Sequence, residues 1–378
     1  MNLGGYPIFC LDFNKEDKMK KIFTSFIVVA MMVLCGLSPV KGLSYDENYQ
    51  ATKGYYAKKT ELQGASEVTA YASLGLDASH VKMDNVINTD YASSIAQTVI
   101  SLVLHGDDPR NYKDINYVEM LEKCVQENGA FDKTNQMTYA NYQIYGVYAL
   151  YIVNSQKLEI AANYLASLQS QTGAFGSSWG ESVDITAWSI EALSLANKTK
   201  YQSVIDKAIA YMNLSLDGEA GYKDSYSGVN VNTQACALIG LLAYDAQGVK
   251  NGKYNQEQFN PYDVLLRYQN SNGSFWYSEK GEENYYATTQ AAQAVGYYYN
   301  GSVYAKAHEL YLNLINKTEE EKTDETKPVT PPKEDMKDQN QYNKRKVVET
   351  ADSSDILLYS GLMMMSAFVV LKGKRRFE

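Results

Sequence analysis

Asp184 stands in the run Ser182-Val183-Asp184-Ile185-Thr186-Ala187, where a helix is expected to start. A carboxyl group there can protonate a substrate, cap its helix, or accept a hydrogen bond from a bound molecule. Aligning the chain on a recurring loop of glycine and an aromatic makes Asn141, Asn232 and Tyr286 equivalent to Asp184. Two residues on from each comes a second polar side chain: Gln143, Thr186, Gln234 and Thr288. This spacing predicts a polar rim at four helix starts that orients a ligand over an aromatic-rich cavity. The competing expectation is that these residues only cap their helices. As a lone carboxylate, Asp184 lacks neighbours to tune its proton affinity, so the main reading assigns no catalytic residue and keeps Asp184 as the acid of an alternative. His80, His105 and His308 are scattered, and no His/Cys cluster has metal-ligand spacing, so neither a metal nor a cofactor is expected.

The elements that must position these residues repeat. An amphipathic helix, a short loop and a second helix recur about every 45 to 50 residues. In one unit Ile160, Tyr164, Leu165 and Leu168 lie at helical spacing, and a second helix follows through Ile185, Trp188, Ala192 and Leu195. The loops occupy residues 126–131, 169–175, 218–222 and 269–275 and end in Phe131, Phe175, Tyr222 and Phe275, aromatics expected to plug the wall. Two cysteines outside the leader, Cys124 and Cys236, leave one disulfide open to question.

The loop pattern Gln-x(2,3)-Gly-x-Phe resembles the repeat of squalene cyclases, protein prenyltransferase β-subunits and the transcobalamin/intrinsic-factor proteins, over residues 67–314. The resemblance implies an all-α fold, an α/α toroid of inner helices ringed by outer ones, for a domain at residues 43–316. His105-Gly106-Asp107-Asp108-Pro109-Arg110-Asn111 and Asn284-Tyr285-Tyr286-Ala287-Thr288-Thr289-Gln290 are most similar to bacterial relatives of the transcobalamin group. That implies a corrinoid as ligand, though no cobalt-ligand histidine carries over. Squalene-type cyclases set their acid in Asp-x-Asp-Asp-Thr-Ala; here Asp184 keeps the central acid and both flanking carboxylates are absent. The zinc set of the prenyltransferases does not align, and Asp107-Asp108 reads as a helix stop rather than a metal motif.

The two ends predict export. Residues 1–42 read as a signal peptide whose true start is Met19: Lys20 and Lys21, an apolar run, then small residues to Gly42. Residues 317–346 are charged and contain Pro328, Pro331 and Pro332, a composition read as an unfolded linker. Residues 347–378 resemble a degenerate sortase sorting signal, with cleavage expected between Thr350 and Ala351. Its apolar segment, residues 356–371, would reach about 24 Å as helix and anchor in the membrane ahead of a basic tail. The formal net charge of −9 becomes more negative without these two basic ends, which gives nucleic acid no surface to pair with. The sequence thus predicts an extracellular, non-catalytic ligand-binding protein anchored to the wall or membrane of a Gram-positive-type bacterium. Its expected partners are a small molecule or glycan, and sortase or membrane. A surface enzyme on an isoprenoid or glycan, or an adhesion module, are the alternatives.

Overall fold

A computed structural model of the chain describes residues 43–131, 139–224 and 227–325. The expectations for the leader, the sorting signal and its anchor, and most of the linker lie outside these residues. The chain divides after Asn48 into two compact units. In the first, Ser44 and Glu47 form a capping box: Ser44 Oγ accepts from Glu47 N at 3.2 Å, and Glu47 Oε2 from Ser44 N at 2.7 Å. That box opens helix α1, Tyr45–Tyr56.

In the second unit, eleven further helices among the described residues follow the apolar periodicity. They are α2 (Gly64–Ser73), α3 (Ala92–His105), α4 (Tyr117–Cys124), α5 (Ala140–Ile152), α6 (Leu158–Ser167), α7 (Val183–Asn197), α8 (Gln202–Leu214), α9 (Val231–Lys250), α10 (Pro261–Leu266), α11 (Tyr285–Asn300) and α12 (Val303–Glu325). The short strands Phe175–Ser177 and Gly180–Ser182 form an antiparallel hairpin before α7, and Lys223–Asp224 pairs in the same way with Gly228–Val229 before α9. Pro261 opens α10 at a position where its missing N–H is no loss.

Six helices that are buried nearly all round pack in a closed sequence: α2 on α3, α3 on α5, α5 on α7, α7 on α9, α9 on α11, and α11 back on α2. The shorter α4, α6, α8 and α10, apolar along one face, pack outside them. The loops show the same closure independently. Gly129 and Gly173, both at positive φ, lie so close to the next outer helix that a Cβ would sit 2.1 Å from Ile160 O or 2.4 Å from Lys207 O. Gly273 makes the equivalent contact with Ala51 O of α1, at 2.1 Å, so the last repeat docks on the first helix. The all-α ring is therefore the observed architecture, with two inner helices, α2 and α3, that precede the first Gly/aromatic loop.

Helix α12 crosses the C-terminal ends of α3 and α5. Tyr304 stacks on Tyr148 at 3.9 Å, His308 Nδ1 lies 2.9 Å from Ile152 O, and Arg110 Nε donates to Tyr311 Oη. Helix α3 stops at Gly106, which adopts a left-handed conformation, and Arg110, beyond the Asp107-Asp108 pair, holds α12, while Asp107 is paired to His105 at 2.6 Å. Helix α12 continues past Asn316 to Glu325, so the charged stretch begins as helix, in agreement with its Glu- and Lys-rich composition. Cys124 and Cys236 are both buried thiols and form no disulfide with each other. Among the described residues no helix is long and apolar enough to cross a membrane.

Candidate functional site

The four loop aromatics are buried at equivalent places, Phe131, Tyr222 and Phe275 at 0% exposure and Phe175 at 1%. Each is tied down in the same way. The backbone N–H of Phe131 donates to Gln143 Oε1 at 3.0 Å, that of Phe175 to Thr186 Oγ1 at 2.9 Å, that of Tyr222 to Gln234 Oε1 at 2.8 Å, and that of Phe275 to Thr288 Oγ1 at 2.9 Å. Gln143, Thr186, Gln234 and Thr288 therefore clamp the loops to the inner helices, facing outward from the ring. Thr186→Val keeps the shape and strands the buried Phe175 N–H, so stability should fall by about 1 to 3 kcal/mol. Urea unfolding of this variant against wild type checks it, and an unchanged midpoint would remove the clamp.

Capping is done by other residues. Ser182 accepts from Ile185 N, Asn230 from Thr233 N and Asn284 from Ala287 N, whereas Tyr139 caps α5 with no side-chain bond. The capping role expected of Asp184 and Asn232 thus belongs to residues two positions earlier, and Asn284 stands in the same relation to Tyr286, because each helix starts before the aligned site.

A residue two positions before the clamp lies about 200° round the helix from it. Asn141, Asp184, Asn232 and Tyr286 consequently face the ring axis. The same faces continue at helical spacing: Tyr145 and Tyr148 below Asn141, Trp188 and Glu191 below Asp184, Cys236 below Asn232, and Gln290, Gln293 and Tyr297 below Tyr286. The inward direction is confirmed across the ring, since Glu191 of α7 accepts from Tyr297 Oη of α11 at 2.8 Å, although α9 stands between these helices in the wall. Trp188 and Tyr145, 6.4 Å apart between ring centroids, form an aromatic layer between rim and floor.

The floor is not foreseen in the sequence. Glu191 is wholly buried, and it also accepts from Ser302 Oγ at 2.6 Å and Tyr148 Oη at 3.1 Å. Burial pushes its carboxyl up to about 7, against the three hydroxyl donors that favour its ionised form. The signal that points to it is its place seven residues after Asp184, on the same face of one helix.

At the rim, Asp184 Oδ1, Asn232 Oδ1 and, one turn below Tyr286, Gln290 Oε1 are shielded from solvent without a hydrogen-bond partner. Burial raises the Asp184 carboxyl to about 6, the Thr233 hydroxyl opposes the shift, and Asp224 adds to it. The rim and wall can therefore accept hydrogen bonds, and Asp184 can hold or release a proton near neutrality. The site predicted from sequence divides into two sets: Asn141, Asp184, Asn232 and the exposed Tyr286 lie on the axis side of four inner helices, and their four partners bind the loops behind the wall. Among the described residues no group of three or more His, Cys, Asp or Glu side chains is placed to hold a metal ion.

No family model and no curated protein matches the chain. Among solved structures it is similar to the ligand-free type II terpene cyclase MstE from Scytonema, at 14% identity over 66% of this chain and 87% of that one, with a TM-score of 0.43. A variant of that cyclase in complex with its substrate geranylgeranyl dihydroxybenzoate is similar at 15% identity over 70% and 88% of the two chains, also with a TM-score of 0.43. At this score the likeness carries no argument about chemistry; the ring rests on the packing of this chain itself.

Proposed function

We propose that this protein is a non-catalytic binder of a small molecule in the lumen of its ring, displayed at the outer surface of a Gram-positive-type cell. One observation carries the proposal. Asp184 Oδ1 and Asn232 Oδ1 are buried on adjacent inner helices with no donor, a cost of about 1 to 3 kcal/mol each that a ligand's donors would relieve. The resemblance of residues 105–111 and 284–290 to the transcobalamin group implies a corrinoid, whose peripheral amides present such donors; a glycan presents hydroxyls. The leader-like and sorting-signal-like ends, with Gly42, Thr350 and Ala351 as processing positions, support the surface location and sortase or membrane as partners.

A second reading is favoured by one feature: an acid raised to about 6 is suited to proton transfer. In it, Asp184 protonates an isoprenoid or glycan in the lumen. One experiment separates the two. The full-length chain and Asp184→Asn are titrated with cyanocobalamin, a cello-oligosaccharide and a prenyl alcohol, with mass spectrometry of the mixtures. A binder should hold one compound unchanged and lose about 5- to 30-fold in affinity in the variant, the effect of one polar contact. A product formed by wild type and absent with the variant overturns the binding reading in favour of the enzyme.

A further inference from the structure

Within that lumen reading, on which this inference rests, we infer that the ligand is an organic ammonium bearing N–H groups. The observation is a sign pattern. Helices α2, α3, α5, α7 and α11 contain no Lys or Arg, and α9 has only Lys250, in its last turn. The same six helices carry Glu67, Asp184, Glu191 and Asp245. Glu67 and Asp245 are neutralised by Lys59 and Lys253, both outside the inner ring, at 2.9 and 2.7 Å. The two acids that face the axis have no ion-pair partner within 4.0 Å among the described residues. Among the described residues the six inner helices offer an anion no cation apart from Lys250, and Asp184 is left for a positive guest, since Glu191 is already held by three hydroxyl donors.

The hydrogen-bond inventory has the same polarity. Asp184 Oδ1, Asn232 Oδ1 and Gln290 Oε1 are acceptors, and at the starts of α7, α9 and α11 one of the N–H groups that would meet an anion is taken by Ser182, Asn230 or Asn284. An ammonium supplies up to three donors to such a set. Below the rim it meets the faces of Tyr145 and Trp188, and aromatic faces attract cations within about 6 Å. A quaternary ammonium would gain the aromatic contact and leave the three oxygens unsatisfied, so the geometry points to primary or secondary amines.

Ammonium binding must then depend on the charge of Asp184. Among the described residues the titratable groups whose charge acts on it or that feel its charge are Asp224 on the hairpin before α9, Tyr211 on α8 and Cys236 on α9, none of them cationic. A guest cation lowers the carboxyl's proton affinity, and by reciprocity loss of the proton strengthens binding. With an acid near 6, about a tenth is ionised at pH 5 and nearly all at pH 8, so affinity should rise about tenfold over that interval.

The test is calorimetric titration of the full-length chain with putrescine, sorbitol, citrate and cyanocobalamin at pH 5 and pH 8. Putrescine should bind, about tenfold tighter at pH 8; Asp184→Asn should abolish that pH dependence and lower affinity at least tenfold at pH 8. Asn232→Asp, which adds a second carboxylate at the rim and asks little of the fold, should tighten putrescine binding. Sorbitol or cyanocobalamin bound in an Asp184-dependent way, with putrescine inert, would leave the lumen as the ligand site and overturn the ammonium. Putrescine binding indifferent to both substitutions would mark surface association and overturn it as well. No binding by any compound would count against the lumen itself.

Discussion

Phe175→Ala should lower the unfolding free energy by about 3 to 5 kcal/mol, the range for removing a fully buried aromatic from a core that cannot collapse onto the gap. Collapse is prevented on both sides of this ring. The Phe175 amide is held by Thr186 at 2.9 Å, and Gly173, two residues earlier, lies against the backbone of α8 at Lys207. The loop therefore keeps its path when the ring is deleted, and the cavity stays open. Urea unfolding with a shared slope for wild type and variant measures the loss. A change below about 1 kcal/mol would show that the loop aromatics do not hold the wall together.

The second large effect is on pH. Glu191 is wholly buried, and its carboxyl is raised to about 7 in the folded protein, against about 4.3 in an unfolded chain. Between these values the folded form keeps a proton that the unfolded form has released. The stability this contributes is complete below the unfolded value and is lost as pH rises through about 7. The difference is on the order of 3 kcal/mol. Asp184, raised to about 6, acts in the same direction at slightly lower pH. Wild type should therefore unfold at lower urea at pH 8 than at pH 5, and Glu191→Gln should remove the larger part of that difference. The carboxylates held low by ion pairs, Glu119, Glu159 and Asp245, favour the opposite trend, but they are common to both proteins and cancel in the comparison. Equal pH dependence in wild type and Glu191→Gln would mean the floor carboxylate does not titrate with folding.

How much of the molecule is legible in the sequence depends on how local each cause is. A Gly/aromatic loop is set by neighbouring residues, so the sequence alone identifies Phe131, Phe175, Tyr222 and Phe275 as buried plugs. The inner helices α2 and α3 carry no such loop ahead of them and do not stand out as units, though their place in the ring is equivalent. The eight rim candidates are recognisable as pairs, but their division is not, because whether a polar residue faces the axis or the loop behind it depends on where the helix begins. Gln143 and Thr186 look alike in sequence to Asn141 and Asp184; only rotation about the helix separates a wall clamp from a lumen acceptor. Glu191 escapes notice because a glutamate in an alanine- and leucine-rich helix reads as solvated. Its partners Tyr148, Tyr297 and Ser302 come from three other parts of the chain, and no local pattern announces them.

The contact between Gly273 and Ala51 also bears on how the chain can be made and how it can evolve. An open array of repeats completes each unit against its predecessor, so it can be cut or lengthened by a unit and still bury what remains. Here the helix synthesised early waits for a loop more than two hundred residues later in the chain. Until that loop emerges from the ribosome, the backbone at Ala51 and Thr52 has no partner there, and the pairing it awaits is among the most distant in sequence and so among the slowest to form. Duplicating or deleting one helix pair would change the turn per unit around the ring and leave its ends unable to meet. Variation in this protein should therefore collect in the hairpins and outer loops, with the number of inner helices held at six.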